Sequence, residues 1–365
     1  MNDETEAQAA PEATEVAAEE PADFVAENEL SAAEGDGSAP VPSTRRRKAR
    51  VMLLALLAAL ATMLVVFAGW YIILRKPISE FPLPLPATAQ MPGYSYSLYG
   101  PMRPTGIAVT PDGSLIFVTQ TTGDAAVFVL DPSGKTVATM TPPDTGTDHV
   151  FVYVAFNPTN GDVYVTDRPA TSIYIYSITG EYKGTFAAPS SLAGWQPLGI
   201  GFDSAGNMFV TDPSVNAVHE FAPDGSLVRT IGQAGEFSFP NSVVEDASGR
   251  LYIADSNNGR LVVLDSNGSQ IGVVRRGPSD GDVGLPRGMA IDDLQRVYVV
   301  DSVDQSVKVY QPGADPTSPP TFIGQFGDAG TGDGAFNFPN AVATDARGRV
   351  YVADWDNDRV QVWTY

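Results

Sequence analysis

The sequence predicts an all-β fold, a six-bladed β-propeller of four-stranded blades, set behind a single apolar span. Three observations lead there. A β-rich run closing in an acid or its amide recurs six times after residue 100. Each copy has a short strand-like run before it, and most have further strand-like runs after it. An uncharged apolar run, 51–74, precedes them all.

The chain opens with residues 1–50. The first 44 hold Asp and Glu throughout, no Lys or Arg, and much Ala, Pro and Ser. Such a segment cannot bury enough apolar surface to offset its ordering entropy, so it reads as a disordered acidic tail, an interaction tail or, more simply, a solvated extension with no fixed partner. It ends in RRRKAR, Arg45–Arg50.

Val51–Leu74 carries no charge. At 1.5 Å per residue a helix over it reaches roughly 36 Å, enough for a hydrocarbon core of about 30 Å. Trp70 and Tyr71 stand where an aromatic belt would lie. A cleaved signal peptide would need a shorter apolar run and a shorter leader. Five Lys/Arg precede the span, against Arg75 and Lys76 after it. The positive-inside rule then predicts a single-pass protein of the cell membrane, N-terminus cytoplasmic and the rest extracytoplasmic. Residues 75–92 hold five prolines and read as an extended spacer.

No cysteine is present. That excludes a disulfide framework, Cys-ligated metal and a Cys nucleophile. From residue 77 onward 31 Asp/Glu face 15 Lys/Arg. A surface of that sign repels phosphate backbones, so no nucleic-acid partner is expected.

The repeat occupies residues 93–365. Its copies read FVTQ (Phe117–Gln120), YVTD (Tyr164–Asp167), FVTD (Phe209–Asp212), YIAD (Tyr252–Asp255), YVVD (Tyr298–Asp301) and YVAD (Tyr351–Asp354). Their last residues are spaced by 47, 45, 43, 46 and 53. Pro197, Pro240, Pro286 and Pro339 each lie 15 residues before their acid, and Pro104 lies 16 before Gln120. In the second copy Val152 stands at the proline's distance. Asp-Gly, Asn-Gly and Ser-Gly turns between the runs are hairpin chemistry. Four short strands at a period in the forties, without helical periodicity, describe propeller blades.

The last copy supplies three strands only. GYSYSLYG, Gly93–Gly100, alternates like a strand just before the first blade. It is expected to pair as the outer strand of the last blade, closing the ring and covering an edge.

The pattern F-x-x-P, then Y-V-A-D, then N-x-R-V resembles bacterial, membrane-anchored NHL-repeat propellers. FNFPNAVATDARGRVYVADWDNDRVQVW, Phe336–Trp363, and FSFPNSVVEDASGRLYIADSNNGRLVVLD, Phe237–Asp265, match it most closely.

Sites in such rings lie at the mouth of the central channel. The residue after each proline rims that mouth: Thr105, Tyr153, Leu198, Asn241, Arg287 and Asn340. The second strands end there with Gln120, Asp167, Asp212, Asp255, Asp301 and Asp354. Loops add Arg103, His149, Arg168, Trp195, Gln196 and Trp355. The expected rim is polar and aromatic, with acids around one strong cation at Arg287. A residue repeated in five blades is more simply a brace than a catalyst. Asp255 with Asn258 and Arg260, and Asp354 with Asn357 and Arg359, read that way. The ligand contacts are therefore expected at Arg103, Thr105, Tyr153, Trp195, Asn241, Arg287, Asn340 and Trp355.

Metal chemistry is thinly provided for. The peptidyl-hydroxyglycine lyases, which the repeat resembles, hold zinc with several histidines, but only His149 and His219 exist here. His219, in VHEF, reads as a strand residue. Lactonase-like propellers bind calcium through Glu, Asn and Asp, which Asn241, Asn340 and the acid ring could imitate. There is no G-x-S-x-G, Walker motif or H-E-x-x-H. No cofactor is expected and no metal site is assigned. The predicted function is a binding or scaffolding propeller that docks a protein, peptide or glycan on its mouth face. The alternative is a calcium- or zinc-assisted hydrolase or lyase at the same mouth.

Overall fold

A computed structural model describes residues 90–145, 148–233 and 235–365. The tail expected at 1–50, the membrane helix at 51–74 and most of the spacer at 75–92 lie outside the described residues. Among the described residues no helix is long and apolar enough to cross a membrane.

The described chain forms six four-stranded antiparallel sheets, the blades of the expected propeller. Blade 1 runs from its inner strand Pro104–Val109 through Ile116–Gln120 and Ala126–Leu130 to the outer Thr136–Met140. Blades 2 to 5 repeat this plan from inner strands Phe151–Phe156, Ile200–Phe202, Pro240–Glu245 and Pro286–Ile291. Blade 6 takes Pro339–Thr344, Arg349–Asp354 and Arg359–Thr364 from the C-terminal end. Its outer strand is Gly93–Tyr99, paired antiparallel with Arg359–Thr364. The ring is closed by the expected strand.

Second and third strands lie inside each blade, with neighbouring blades against both faces. They therefore read as nearly unbroken β-branched and aromatic runs, and Ile116–Gln120, Met208–Asp212 and Leu251–Asp255 are buried throughout. Outer strands alternate, as Leu227–Ile231 does. The core lies between blades. Phe117, Val127, Val129 and Met140 of blade 1 pack on Phe151, Val163, Val165 and Tyr174 of blade 2. Burying roughly 1.5–3 kcal/mol of apolar side chain at each such position is what a disulfide-free domain depends on.

Inner strands approach each other closely, which explains the recurrent Pro-x-Gly. A Cβ on Gly288 would lie 2.6 Å from Ala341 Cα, and one on Gly106 would lie 2.6 Å from Val152 O. Strand register corrects one expectation. Phe151, not Val152, pairs with Asp167 as Pro104 pairs with Gln120 and Pro240 with Asp255. Tyr153 therefore falls in the position that blade 1 fills with Gly106, and its amide donates to Thr166 Oγ1 just as Gly106 N donates to Thr119 Oγ1.

Two sets of acids brace the blades. On the mouth side each repeat acid is buried and holds its own loop. Asp354 accepts from Asn337 N at 2.7 Å, Asn357 Nδ2 at 2.8 Å and Arg359 Nε at 2.8 Å. Asp255 does the same with Ser238 N, Asn258 Nδ2 and Arg260 Nε. Gln120 substitutes its amide oxygen, taking Met102 N at 3.0 Å. On the opposite side Asp246, Asp292 and Asp345 each bind the arginine four residues on and the tyrosine six on. Those arginines latch to the next blade: Arg250 Nη1 to Gly313 O, Arg349 Nη2 to Gly113 O, and Arg296 stacked 3.8 Å over Tyr365.

Candidate functional site: the channel mouth

Inner strands begin, and second strands end, at one face of the ring. Four of the expected rim residues meet there, below the surface. Tyr153 from blade 2 crosses to blade 4, where its hydroxyl donates to Asn241 Oδ1. Asn340 from blade 6 donates through Nδ2 to Thr105 O of blade 1 at 2.6 Å, and it also bonds the Tyr153 hydroxyl. These side chains are 6 % (Tyr153), 1 % (Asn241) and 7 % (Asn340) exposed. Burial pushes the Tyr153 phenol up to about 12, against the opposing pull of the Arg287 charge and the Asn340 bond. Tyr153 thus stays neutral and plugs the channel just below its mouth. It occupies a place that blades 1, 3 and 5 give to glycine.

Above the plug lies a layer of arginines on aromatic rings. The Arg287 guanidinium sits 5.7 Å from the Phe338 centroid. Phe338 is 5.7 Å from Trp355, and Trp355 lies under Arg103 at 4.6 Å. Arg168, from the blade 2 loop, reaches Phe239 of blade 4 at 5.2 Å. Such cation–aromatic pairs are worth about 0.5–2 kcal/mol each and hold the guanidinium flat. Arg103 N donates to Asp358 Oδ1 at 2.8 Å, and its Nη2 is 3.6 Å from Asp356. Arg168 Nη2 meets Gln196 Oε1 at 3.5 Å.

Arg103, Phe239 and Phe338, each just before an inner-strand proline, have φ of 47°, 54° and 54°. Left-handed backbone is uncommon for such residues and costs about 1–3 kcal/mol. In all three the strained residue belongs to the cation–aromatic layer. The sequence reading passed over Phe239 and Phe338. Their one signal is the F-x-F-P shared by the two best repeats, FSFP and FNFP.

Other rim expectations are corrected. Trp195 is 5 % exposed. Its indole donates to Thr171 O at 3.0 Å and its ring packs on Phe221 and His219. It fills the seam between blades 2 and 3 because its large apolar surface has a core to join. The acids do not ring Arg287. Asp167, Asp212, Asp255, Asp301 and Asp354 are buried and spent on their own loops. The three arginines expected at the rim, Arg103, Arg168 and Arg287, each lie on an aromatic ring instead.

Each histidine serves its blade's repeat acid. His149 Nδ1 is 2.6 Å from Asp167 Oδ2 and its Nε2 is 3.3 Å from Asp144. Burial pulls its pKa down, but the bonds and charges of the two aspartates outweigh this and leave it raised. His219 is a buried strand residue between Thr230 Oγ1, 3.0 Å away, and Asp212 Oδ2, 3.4 Å away. Among the described residues no group of three or more His, Asp or Glu is arranged to hold a metal. A depression of about 370 Å³ opens on this face, lined by Val150, Val152, Arg168, Pro169, Thr171 and Gln196. Met102, Val150, Val215 and Val303 are exposed in its loops.

Comparison with solved structures identifies the same fold in proteins of different kinds. A streptogramin B lyase superposes with a TM-score of 0.54 at 14 % identity, over 76 % of this chain and 99 % of its own. A virginiamycin B lyase from Staphylococcus aureus gives 0.53 at 15 %, over 74 % and 98 %. The WD40 repeats of RRP9 give 0.55 at 13 %, over 75 % and 99 %. At such identities the likeness is one of fold. No curated protein matches the chain. The NHL repeat model matches residues 237–264 and 336–363. The chain is a six-bladed β-propeller carrying NHL repeats in its fourth and sixth blades.

Proposed function

We propose that the propeller is a binding module that docks a protein, peptide or glycan on its mouth face. The observation that carries this reading is the layer Arg103–Trp355–Phe338–Arg287, with Arg168 on Phe239. Arginine and large aromatic side chains are what binding hot spots are made of. Here they share one face of an acidic domain, over a channel that Tyr153 closes. A closed channel offers breadth of contact rather than depth, which suits a large partner. Exposed Met102, Val150, Val215 and Val303 extend the apolar content of that face.

The module is proposed to stand outside the cell membrane, anchored by the span 51–74. That placement rests on the uncharged run and the basic cluster before it.

A photo-crosslinking residue at Val303, on the mouth face, tests the docking reading against one at Leu294, on the opposite face. Both positions are exposed. In native cells Val303 should yield a discrete adduct and Leu294 none. Equal adducts from both faces, or none from Val303, would remove the reading.

A further inference from the structure

Arg287 is a cation without an acid. Among the described residues no carboxylate lies within 4.0 Å of its guanidinium, although Arg229, Arg250, Arg260, Arg296, Arg349 and Arg359 each have one. Its Nε is wholly buried and has no hydrogen-bond partner. Buried donors are almost always satisfied, and a buried donor on a charged group is the costliest kind to leave unmet. Among the described residues nothing bonds this planar, half-buried guanidinium; its Nε is enclosed, and its two Nη groups are the donors left for a ligand at the mouth.

The surroundings define what would satisfy it. One side of the fork is the Phe338 ring, continuous with Trp355. The Tyr153 hydroxyl, bonded to Asn241 and Asn340, is near enough to feel the Arg287 charge and adds neutral polar groups beside it. A guanidinium fork matches a planar carboxylate with two parallel hydrogen bonds. The aromatic wall asks for an apolar group beside that carboxylate. The wider field narrows the choice further. With 31 acids against 15 Lys/Arg from residue 77 onward, the domain repels polyanions at a distance. A lone carboxylate escapes most of that repulsion, whereas a polyphosphate does not.

We propose that the mouth binds a single carboxylate on Arg287, with the ligand's adjoining apolar group against Phe338 and Trp355. This rests on the docking reading and names the chemistry its partner presents. The carboxylate has two sources, the C-terminus of a peptide chain or a free small aryl or alkyl acid.

The test uses the full chain and a fluorescein-labelled Gly-Gly-Ser-Phe peptide, with a free C-terminal carboxylate or as the C-terminal amide. Fluorescence polarisation should show the acid binding at least about tenfold more tightly than the amide, the loss expected when a charge-assisted pair is removed. Arg287→Gln should abolish that preference, and Phe338→Ala should weaken both peptides. Unlabelled phenylacetate that displaces the peptide at a comparable concentration assigns a small acid. Displacement only by the unlabelled peptide assigns a C-terminus. Inorganic phosphate should displace neither. Equal affinity for acid and amide, or acid binding that survives Arg287→Gln, overturns the proposal. Absence of saturable binding by both the peptide acid and phenylacetate also overturns it. The acid–amide comparison needs no variant, so a misfolded Arg287→Gln leaves the test standing. If these fail while Val303 still crosslinks and Leu294 does not, the carboxylate falls and the docking reading remains.

Discussion

Tyr94 meets Trp363 edge-on, with ring centroids 6.0 Å apart and planes at 83°. The two belong to strands at opposite ends of the propeller sequence, and their contact closes the ring. Leu98, in the same strand as Tyr94, is 3 % exposed and joins the apolar cluster of blades 1 and 6. A propeller held by sheet pairing at one seam should unfold as a unit when that seam opens. Leu98→Ala is expected to cost about 2–5 kcal/mol, the range for a buried leucine. Removal of residues 93–99 should lower the midpoint of every blade together. Urea unfolding followed by tryptophan fluorescence and by circular dichroism checks this. A deletion that left one cooperative transition at its original midpoint would contradict the seam.

The mouth-side aspartate is a brace whose need for charge depends on what faces it. Asp354 is opposite Arg359, whereas Gln120 in blade 1 is opposite Ala126. Both acceptors hold a loop amide, Asn337 N and Met102 N. Asp354→Gln leaves Arg359, 4 % exposed, without its buried counter-charge and should cost about 3–5 kcal/mol. Asp354→Gln with Arg359→Ala copies blade 1 and should recover much of that loss. Chemical denaturation of the three proteins decides. A double variant no more stable than Asp354→Gln would show that the loop bond, not the ion pair, carries the energy.

How much of this was legible in the sequence follows from which features repeat. The acid, the turns and the proline recur, so the blade plan and the closing strand could be counted from them. The brace was legible for the same reason, since Asn258 and Arg260 recur as Asn357 and Arg359. Blade 2 went wrong by one residue. Phe151 replaces the proline there, and the spacing of 16 seen in blade 1 was the better guide. Trp195 shows a second limit. A tryptophan in a loop reads alike whether it faces solvent or a seam. Phe239 and Phe338 show a third. A residue before proline is ordinarily extended, and nothing in FSFP or FNFP announces a left-handed turn.

Tyr153 makes the plug testable. Tyr153→Phe keeps the ring and removes the hydroxyl, leaving Asn241 Oδ1 without the donor it has now. That should cost about 1–3 kcal/mol. Tyr153→Ala also empties the channel and should cost about 3–5 kcal/mol, as other buried aromatic truncations do. Equilibrium unfolding of both variants measures the difference. If the two lose equally, the ring contributes nothing beyond the hydroxyl network.

The face opposite the mouth should give the domain its pH dependence. Glu245 lines a depression of about 480 Å³ together with Asp203, Asp246, Asp292 and Asp293. Burial lifts its carboxyl first, and the charges of Asp203 and Glu220 and a bond to Asp203 lift it further, to about 7. An acid whose folded pKa is raised favours the fold while protonated. Its contribution is present below the unfolded value of about 4.3 and is lost as pH rises through about 7. Glu245→Gln resembles the protonated form, so it should leave the melting temperature unchanged near pH ~4 and raise it near pH ~8. His149, also raised, stabilises below its unfolded value of about 6.5 and stops doing so as pH passes its folded value. His149→Gln should therefore lower the melting temperature near pH ~5.5 and have little effect near pH ~9. Melting curves of both variants across that range separate the two groups. A Glu245→Gln protein whose gain were the same at both pH values would show that packing, not the proton, sets its stability.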